Sequence, residues 1–308
     1  MNEPVAPQEI DCEATYVAPW SRSRTEIVIP ERFSAAIGEH LRVNLAETAA
    51  KSRAALILGV QGPAGEGKTE MVVRCCAHVG CNVFHLSAAA LSGKHEGDAR
   101  QALLRSILTA RRVALTNDRP SVVVLDDLDR GVASLDERTG HTVNSGLLVG
   151  ALQNLANDTQ AASGGMPHAR VPIIMTANSL DSLPTSLVRP GRMRILTWQP
   201  TWQEKASMAL PLFGARTPLE CARLRLIVLR YHRRGQPLAF FAQLAHEYVA
   251  ASAPWPAECT DVLEAAQVFT KATASALAIL DFGVLRRLAR RLHRAKAQSF
   301  LKEGRCHV

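Results

Sequence analysis

Gly62-Pro63-Ala64-Gly65-Glu66-Gly67-Lys68-Thr69 stands one residue beyond the apolar stretch Ala54-Ala55-Leu56-Ile57-Leu58-Gly59-Val60. The octapeptide fits G-x-x-x-x-G-K-[ST], and the stretch before it reads as a buried strand. A strand that feeds such a loop, followed by the helical start Met71-Val72-Val73, is a phosphate cradle. Glycines let the backbone N–H groups turn inward around the β- and γ-phosphates. Lys68 adds a cation, Thr69 offers a hydroxyl to Mg²⁺, and the following helix points its positive end at the anion. Pro63 is tolerated because only the backbone next to the phosphates must donate, and all eight residues are expected to line the nucleotide.

Outward from this loop, strands alternate with helices. Strand-like runs fall at 83–86, 122–125, 171–177 and 195–198, with helical patterns near 99–116 and 145–157. With the strand before the loop this makes an α/β domain whose parallel five-stranded sheet binds ligands at its carboxyl ends. A helical pattern at 33–50 precedes it. From residue 201 the chain is helical, with breaks at Gly214, Gly235 and 253–256, as expected of a small all-α domain. Residues 1–30, rich in Pro, Glu, Ser and Arg, read as a flexible arm. The expected domains are therefore 1–30, 31–200 and 201–308.

A chain of 308 residues with 47% apolar residues is long enough for more than one core and has the balance of a soluble globular protein. Neither a secretory leader nor a membrane-spanning run is visible, and a cytoplasmic location is the expectation. The seven cysteines, Cys12, Cys75, Cys76, Cys81, Cys221, Cys259 and Cys306, form no C-x-x-C pair and read as reduced thiols. Three of them lie around His78, where small apolar residues pack under the sheet, so core packing is expected rather than a metal cluster. The net charge of +8 is concentrated near the C-terminus, in Arg286, Arg287, Arg290, Arg291, Arg294 and Lys296. Leu285, Leu288 and Leu292 interleave with them at helical spacing. One face is oily and docks; the other is a solvated basic face or a surface for an acidic partner or DNA.

Three further segments carry chemistry. Val122-Val123-Val124-Leu125-Asp126-Asp127-Leu128-Asp129 is an apolar strand ending in carboxylates. Asp126 is expected in the Mg²⁺ shell, and Asp127 where a general base orients water. Asp127 is one methylene shorter than the Glu common at that place. Val171-Pro172-Ile173-Ile174-Met175-Thr176-Ala177-Asn178 ends a buried strand in an amide that can bond the attacking water or the γ-phosphate. In Ser186-Leu187-Val188-Arg189-Pro190-Gly191-Arg192, Arg189 and Arg192 read as fingers for the γ-phosphate of a neighbouring subunit, since delocalised charge stabilises the transition state strongly.

Phosphate loop, Asp-Asp strand, Asn-terminated strand, Arg-Pro-Gly-Arg and helical lid, in this order, resemble an AAA+ ATPase. Within that superfamily the chain is similar to Rubisco activase. The likeness rests on Leu56-Ile57-Leu58-Gly59-Val60, His141-Thr142-Val143-Asn144-Ser145, Leu155-Ala156-Asn157-Asp158, Arg170-Val171-Pro172-Ile173-Ile174, Gly191-Arg192-Met193 and Gly235-Gln236-Pro237-Leu238-Ala239-Phe240-Phe241. Together these span roughly residues 54–250.

This resemblance implies a homo-oligomeric ring, usually of six, that hydrolyses ATP with Mg²⁺ at subunit interfaces and reshapes a protein client through a central pore. It also implies pore loops at 92–97 and 131–140. Three departures stand out: the first of those loops has no aromatic residue, Ala245 beside His246 stands where a sensor 2 arginine would be sought, and the N-terminal arm is short beside the Rubisco-contacting domain of plant activases. The leading expectation is an ATP-driven remodeller, with Rubisco as one possible client. A DNA-associated loader or scaffold that assembles with ATP is the second, resting on the basic helix. A slow nucleotide-gated switch, suggested by Asp127 and Ala245, is the third.

Overall fold

The computed structural model describes residues 14–18, 28–46, 54–87, 90, 97–127, 141–157, 170–252 and 280–303, which fall into two compact units divided at Gln199 and Pro200. Residues 92–96 and 131–140, read as pore loops, lie outside the described residues, as do Asp129, Cys12, Cys259 and Cys306.

In the first unit the helices are α1 (Glu31–Leu45), α2 (Lys68–His78), α3 (Asp98–Asn117), α4 (His141–Asn157) and the short α5 (Thr185–Val188). The strands are β1 (Thr15–Val17), β2 (Ile57–Gln61), β3 (Asn82–Leu86), β4 (Ser121–Leu125), β5 (Ile173–Ala177) and β6 (Met193–Thr197), ordered β1-β3-β4-β5-β2-β6. Strands β2 to β6 run parallel, as the alternating pattern predicts. The sheet nevertheless has six strands rather than five. Thr15–Val17, within the stretch read as a flexible arm, pairs antiparallel with β3 at the edge. Tyr16 ties it down: its ring packs on Phe84 with centroids 5.4 Å apart, and its hydroxyl donates to Asn82 Oδ1 at 3.0 Å. A three-residue strand with one buried contact carries no periodic signal.

The inner strands are apolar on both faces because helices cover both sides: β4 and β5 are buried throughout. Cys75, Cys76 and Cys81 lie in this interior, and burial pushes the Cys75 and Cys81 thiols up to about 12 and about 11. They pack as small apolar groups.

Beneath the amino ends of β2 and β5 lies a buried polar knot. Arg170 donates from Nε to Asn44 Oδ1 at 2.9 Å and from a terminal nitrogen to the Ala54 carbonyl at 2.7 Å. Asn44 Nδ2 in turn donates to the carbonyls of His40, at 2.9 Å, and Ala55, at 3.0 Å. The knot fastens α1 to the entry of the sheet.

The second unit is helical: α6 (Trp202–Ala209), one 3₁₀ turn (Leu210–Phe213), α7 (Pro218–His232), α8 (Leu238–Ser252) and α9 (Phe282–Glu303). Its ends are written in the sequence. Thr201 with Glu204 and Thr217 with Glu220 form capping boxes at α6 and α7, and Pro218 takes the first helical position of α7. Asp281 Oδ1 accepts from the Gly283 and Val284 amides at 2.7 and 3.1 Å and so caps α9. Phe213, Phe241, Leu244, Tyr248 and Leu285 are core residues, and Leu292 packs against them. Leu285, Leu288 and Leu292 thus dock α9 as its spacing predicts, each fully buried leucine being worth about 2 kcal/mol.

Candidate active site

Parallel pairing delivers the polar residues to one end of the sheet. Gln61 lies opposite Ala177, so the loop after β2 and Asn178 after β5 emerge side by side; Leu125 lies opposite Met175, which sets Asp126 beside Thr176. The loop itself needs glycine, most clearly at its two ends. A Cβ on Gly62 would fall 2.0 Å from the Trp198 carbonyl oxygen. Gly67, at φ 71°, takes the left-handed conformation that turns the chain into α2.

Lys68 opens α2, and its ammonium reaches back over the loop. It donates to the carbonyls of Gly62 at 2.7 Å and Pro63 at 3.0 Å, and to Asn178 Oδ1 at 3.2 Å. The loop lysine and the strand-end amide therefore share a hydrogen bond, though they are 110 residues apart. Thr69 donates its hydroxyl to Asp126 Oδ1 at 2.5 Å, and Thr176 donates to the same oxygen at 2.8 Å. His85 Nε2 stands 3.5 Å from the other oxygen, Oδ2, at the outer limit of a hydrogen bond. Burial raises the Asp126 pKa, but the contacts from His85, Thr69 and Thr176 outweigh it and hold the carboxyl down at about 2. Asp126 is therefore an anion at neutral pH. An ionised carboxylate beside a threonine hydroxyl is a hard-oxygen donor pair of the kind Mg²⁺ takes.

Asp127 follows with φ 49°, one of two non-glycine residues with positive φ among those described, and its amide donates to Thr176 Oγ1 at 3.4 Å. That turn points the chain away from the strand line immediately after Asp126. Local strain is stored where a side chain must be re-aimed.

Arg189 and Arg192 lie elsewhere. Both precede β6, whose first residue pairs with Ile57 at the start of β2, whereas the loop leaves the far end of β2. A five-residue strand spans roughly 16 Å, so the pair stands at the opposite end of the sheet from its own phosphate loop. Arg189 is exposed; Arg192 donates to the Ser186 carbonyl at 2.5 Å.

Besides Thr176, two contributors escape the sequence reading. Trp198, fully buried, donates its indole N–H to the Glu66 carbonyl at 3.2 Å and fixes the loop from beneath. Phe33 meets its ring edge-on at 4.8 Å, and the Arg32 guanidinium stacks over it at 4.9 Å. The place of Trp198 as the last residue of the strand-like run 195–198 offers the only hint. His85, on the strand beside Asp126, is the second. Nothing short of the pairing register reveals that proximity.

Residues 58–201 match the model of the ATPase family associated with various cellular activities (AAA). The match takes in β3 to β6 and nearly all of β2 of the sheet described above. The chain is also similar to ribulose bisphosphate carboxylase/oxygenase activases: 36% identical over 168 residues to that of Anabaena sp., which is 53% of this chain and 40% of the relative. To the chloroplastic activase of Phaseolus vulgaris it is 32% identical over 194 residues, 61% of this chain and 43% of the relative. The corresponding protein of Spinacia oleracea is 30% identical over 195 residues. The chain spans about two fifths of the length of these curated relatives.

Proposed function

We propose that this AAA domain binds ATP with Mg²⁺ and hydrolyses it, and that the chain works as one subunit of a ring, of six by resemblance, that remodels a protein client. The observation that carries the reading is the convergence of Lys68, Thr69, Asp126, Thr176 and Asn178 at one end of the sheet. In this reading the Gly62–Thr69 loop wraps the β- and γ-phosphates and Lys68 neutralises them. Thr69 and Asp126 would hold Mg²⁺, which would offset the charge of the phosphates. Asn178, bonded to Lys68, keeps the attacking side of the γ-phosphate in register with the loop. Asp127 orients the water.

Placement of Arg189 and Arg192 at the far end of the sheet supports their action on a neighbouring subunit's nucleotide. That division calls for a neighbouring copy, which a ring would supply. Rubisco is the client that the names of the curated relatives suggest, and a cytoplasmic setting is a separate part of this proposal; among the described residues no helix is long and apolar enough to cross a membrane.

ATP turnover by the full chain, with and without inhibited Rubisco, tests both levels. Turnover lost in Lys68→Ala supports the site, and stimulation by Rubisco supports the client. Turnover that survives in Lys68→Ala would remove the site assignment. Turnover without stimulation would keep the ATPase and remove Rubisco. Sizing with ATP and Mg²⁺ checks the ring.

A further inference from the structure

We propose that the groove between α7 and α9 is a docking surface for an acidic protein segment that carries an apolar side chain. The α7 wall presents Arg223, Leu226, Ile227, Arg230 and Tyr231, a single helical face at spacings of three and four, and the α9 wall presents Arg286 and Arg290, one turn apart. Between them lies a cavity of about 270 Å³. Its floor is apolar, with Ile227 and Tyr231 buried, and its lip is Leu226, 65% exposed. Four guanidinium groups rim it. A second concavity, of about 420 Å³, continues along α9 past Arg290 to Arg294.

Carboxylates on the neighbouring elements are already engaged. Glu220 caps α7, Asp281 caps α9, and Glu247 on α8 pairs with Arg291. Arg223 stacks on Phe282 at 5.4 Å, while Arg230, Arg286 and Arg290 have no carboxylate partner among the described residues. Like charges facing each other across a concave, low-dielectric wall focus a positive potential into the groove. Its complement is a carboxylate-bearing ligand, held by charge-assisted bonds to guanidinium forks.

The exposed leucine decides between kinds of anion. A phosphodiester backbone has no group to set against Leu226 or the Ile227 floor. The one ring in the groove, Tyr231, is buried and packs against Phe240 at 5.0 Å and His293 at 5.7 Å, so it offers no platform for a base. A peptide with acidic residues flanking a leucine or a similar side chain satisfies both rim and floor. This inference is independent of ATP hydrolysis, because the groove belongs wholly to the second unit.

The test is fluorescence anisotropy of the full chain with three probes: a synthetic peptide alternating glutamate and leucine, the same peptide with serine for leucine, and a duplex DNA oligonucleotide. The glutamate-leucine peptide should bind at least about tenfold more tightly than its serine counterpart. Leu226→Asn, an exposed and charge-neutral change, should weaken the leucine peptide about tenfold and leave the other two probes unmoved. Arg230→Glu with Arg290→Glu should abolish peptide binding, while Lys68→Ala should bind like the parent chain even if it has lost turnover. Should the charge-reversed chain fail to fold, Leu226→Asn and the peptide pair still decide. Equal affinity for the two peptides, indifference to Leu226→Asn, preference for DNA, or no peptide binding would each overturn the proposal.

Discussion

The two ends of one sheet carry two polar clusters built from similar residue types and put to opposite use. At the carboxyl end, Lys68, Thr69, Asp126, Thr176 and Asn178 meet at the rim, where Lys68, Asp126 and Asn178 come from three different strand ends or helix starts. At the amino end, Arg170, Asn44 and His40 are buried and bond mostly to backbone carbonyls that no ligand could replace. What separates a working site from a fastener is therefore not polarity or even charge. It is whether the groups gather at the edge that the phosphate loop lines or in the closed interior. Substitutions at the first cluster should alter chemistry with little loss of stability, and at the second the reverse.

The largest effect expected is at Lys68. Lys68→Ala should lower ATP turnover by about 10²-fold or more, since the loop's only side-chain cation is lost at a site of phosphate charge. Its urea midpoint should stay near that of the parent, because the lysine's partners, two loop carbonyls and Asn178, stand at the carboxyl edge of the sheet. A large loss of stability would erase the contrast between the two ends.

Next comes Asp127→Asn, which should retain nucleotide affinity and lose about 10²-fold in turnover if Asp127 orients the water. Parallel loss of affinity and turnover would make Asp127 a metal ligand or a turn residue instead. Arg192→Ala probes the same chemistry from the other end of the sheet: mixed with Lys68→Ala subunits, it should recover activity above the sum of the separate variants, as some interfaces regain both an intact loop and a donated arginine. Co-purification of differently tagged subunits verifies the mixing. No recovery in mixed rings would count against action in trans.

How much of this was legible beforehand follows from how far each signal reaches along the chain. The phosphate loop and the Asp126 strand are local, a few residues each, and their chemistry shows in the sequence. The sharing of a hydrogen bond between Lys68 and Asn178 spans 110 residues, and only the strand register creates it. The order of motifs pointed to Asn178, yet nothing pointed to His85 or Trp198 as supports. The polar knot was wholly unreadable. Asn44 in a helix and Arg170 before a strand look like surface residues until the fold buries both. Likewise β1 is too short to announce itself inside a stretch rich in proline and charge.

At the knot, Asn44→Ala should cost about 2 kcal/mol of stability, because it leaves the Ala55 carbonyl and Arg170 Nε unpaired in the interior. ATP affinity should be unchanged. Urea unfolding followed by amide exchange in β5 reports on this unit alone, and a stability within about 0.5 kcal/mol of the parent would show the knot to be ornamental.

The smallest and most graded effect is the pH response of His40. Burial, together with the Arg194 and Arg170 cations, lowers its pKa from 6.5 to about 4, so it is neutral in the folded interior. Between these two values the unfolded chain binds a proton that the folded chain does not, and stability must fall as the pH drops from about 6.5 towards 4. Above that window His40 is neutral in both states and contributes no slope; below it the folded state is protonated too, and the slope ends. The full drop is at most about 3 kcal/mol. Carboxylates act in a lower window: Glu220, held down at about 2 by the Thr217 and Arg216 amides and the Thr217 hydroxyl, loses its contribution as the pH falls from 4.5 through 2. Unfolding of the first unit measured from pH 7 to 4.5 should show this decline in the parent and not in His40→Leu, whatever the absolute stability of that variant. Parallel pH profiles for the two chains would mean that His40 is protonated alike in both states, and the buried end of the sheet would then have to be regarded as open to water.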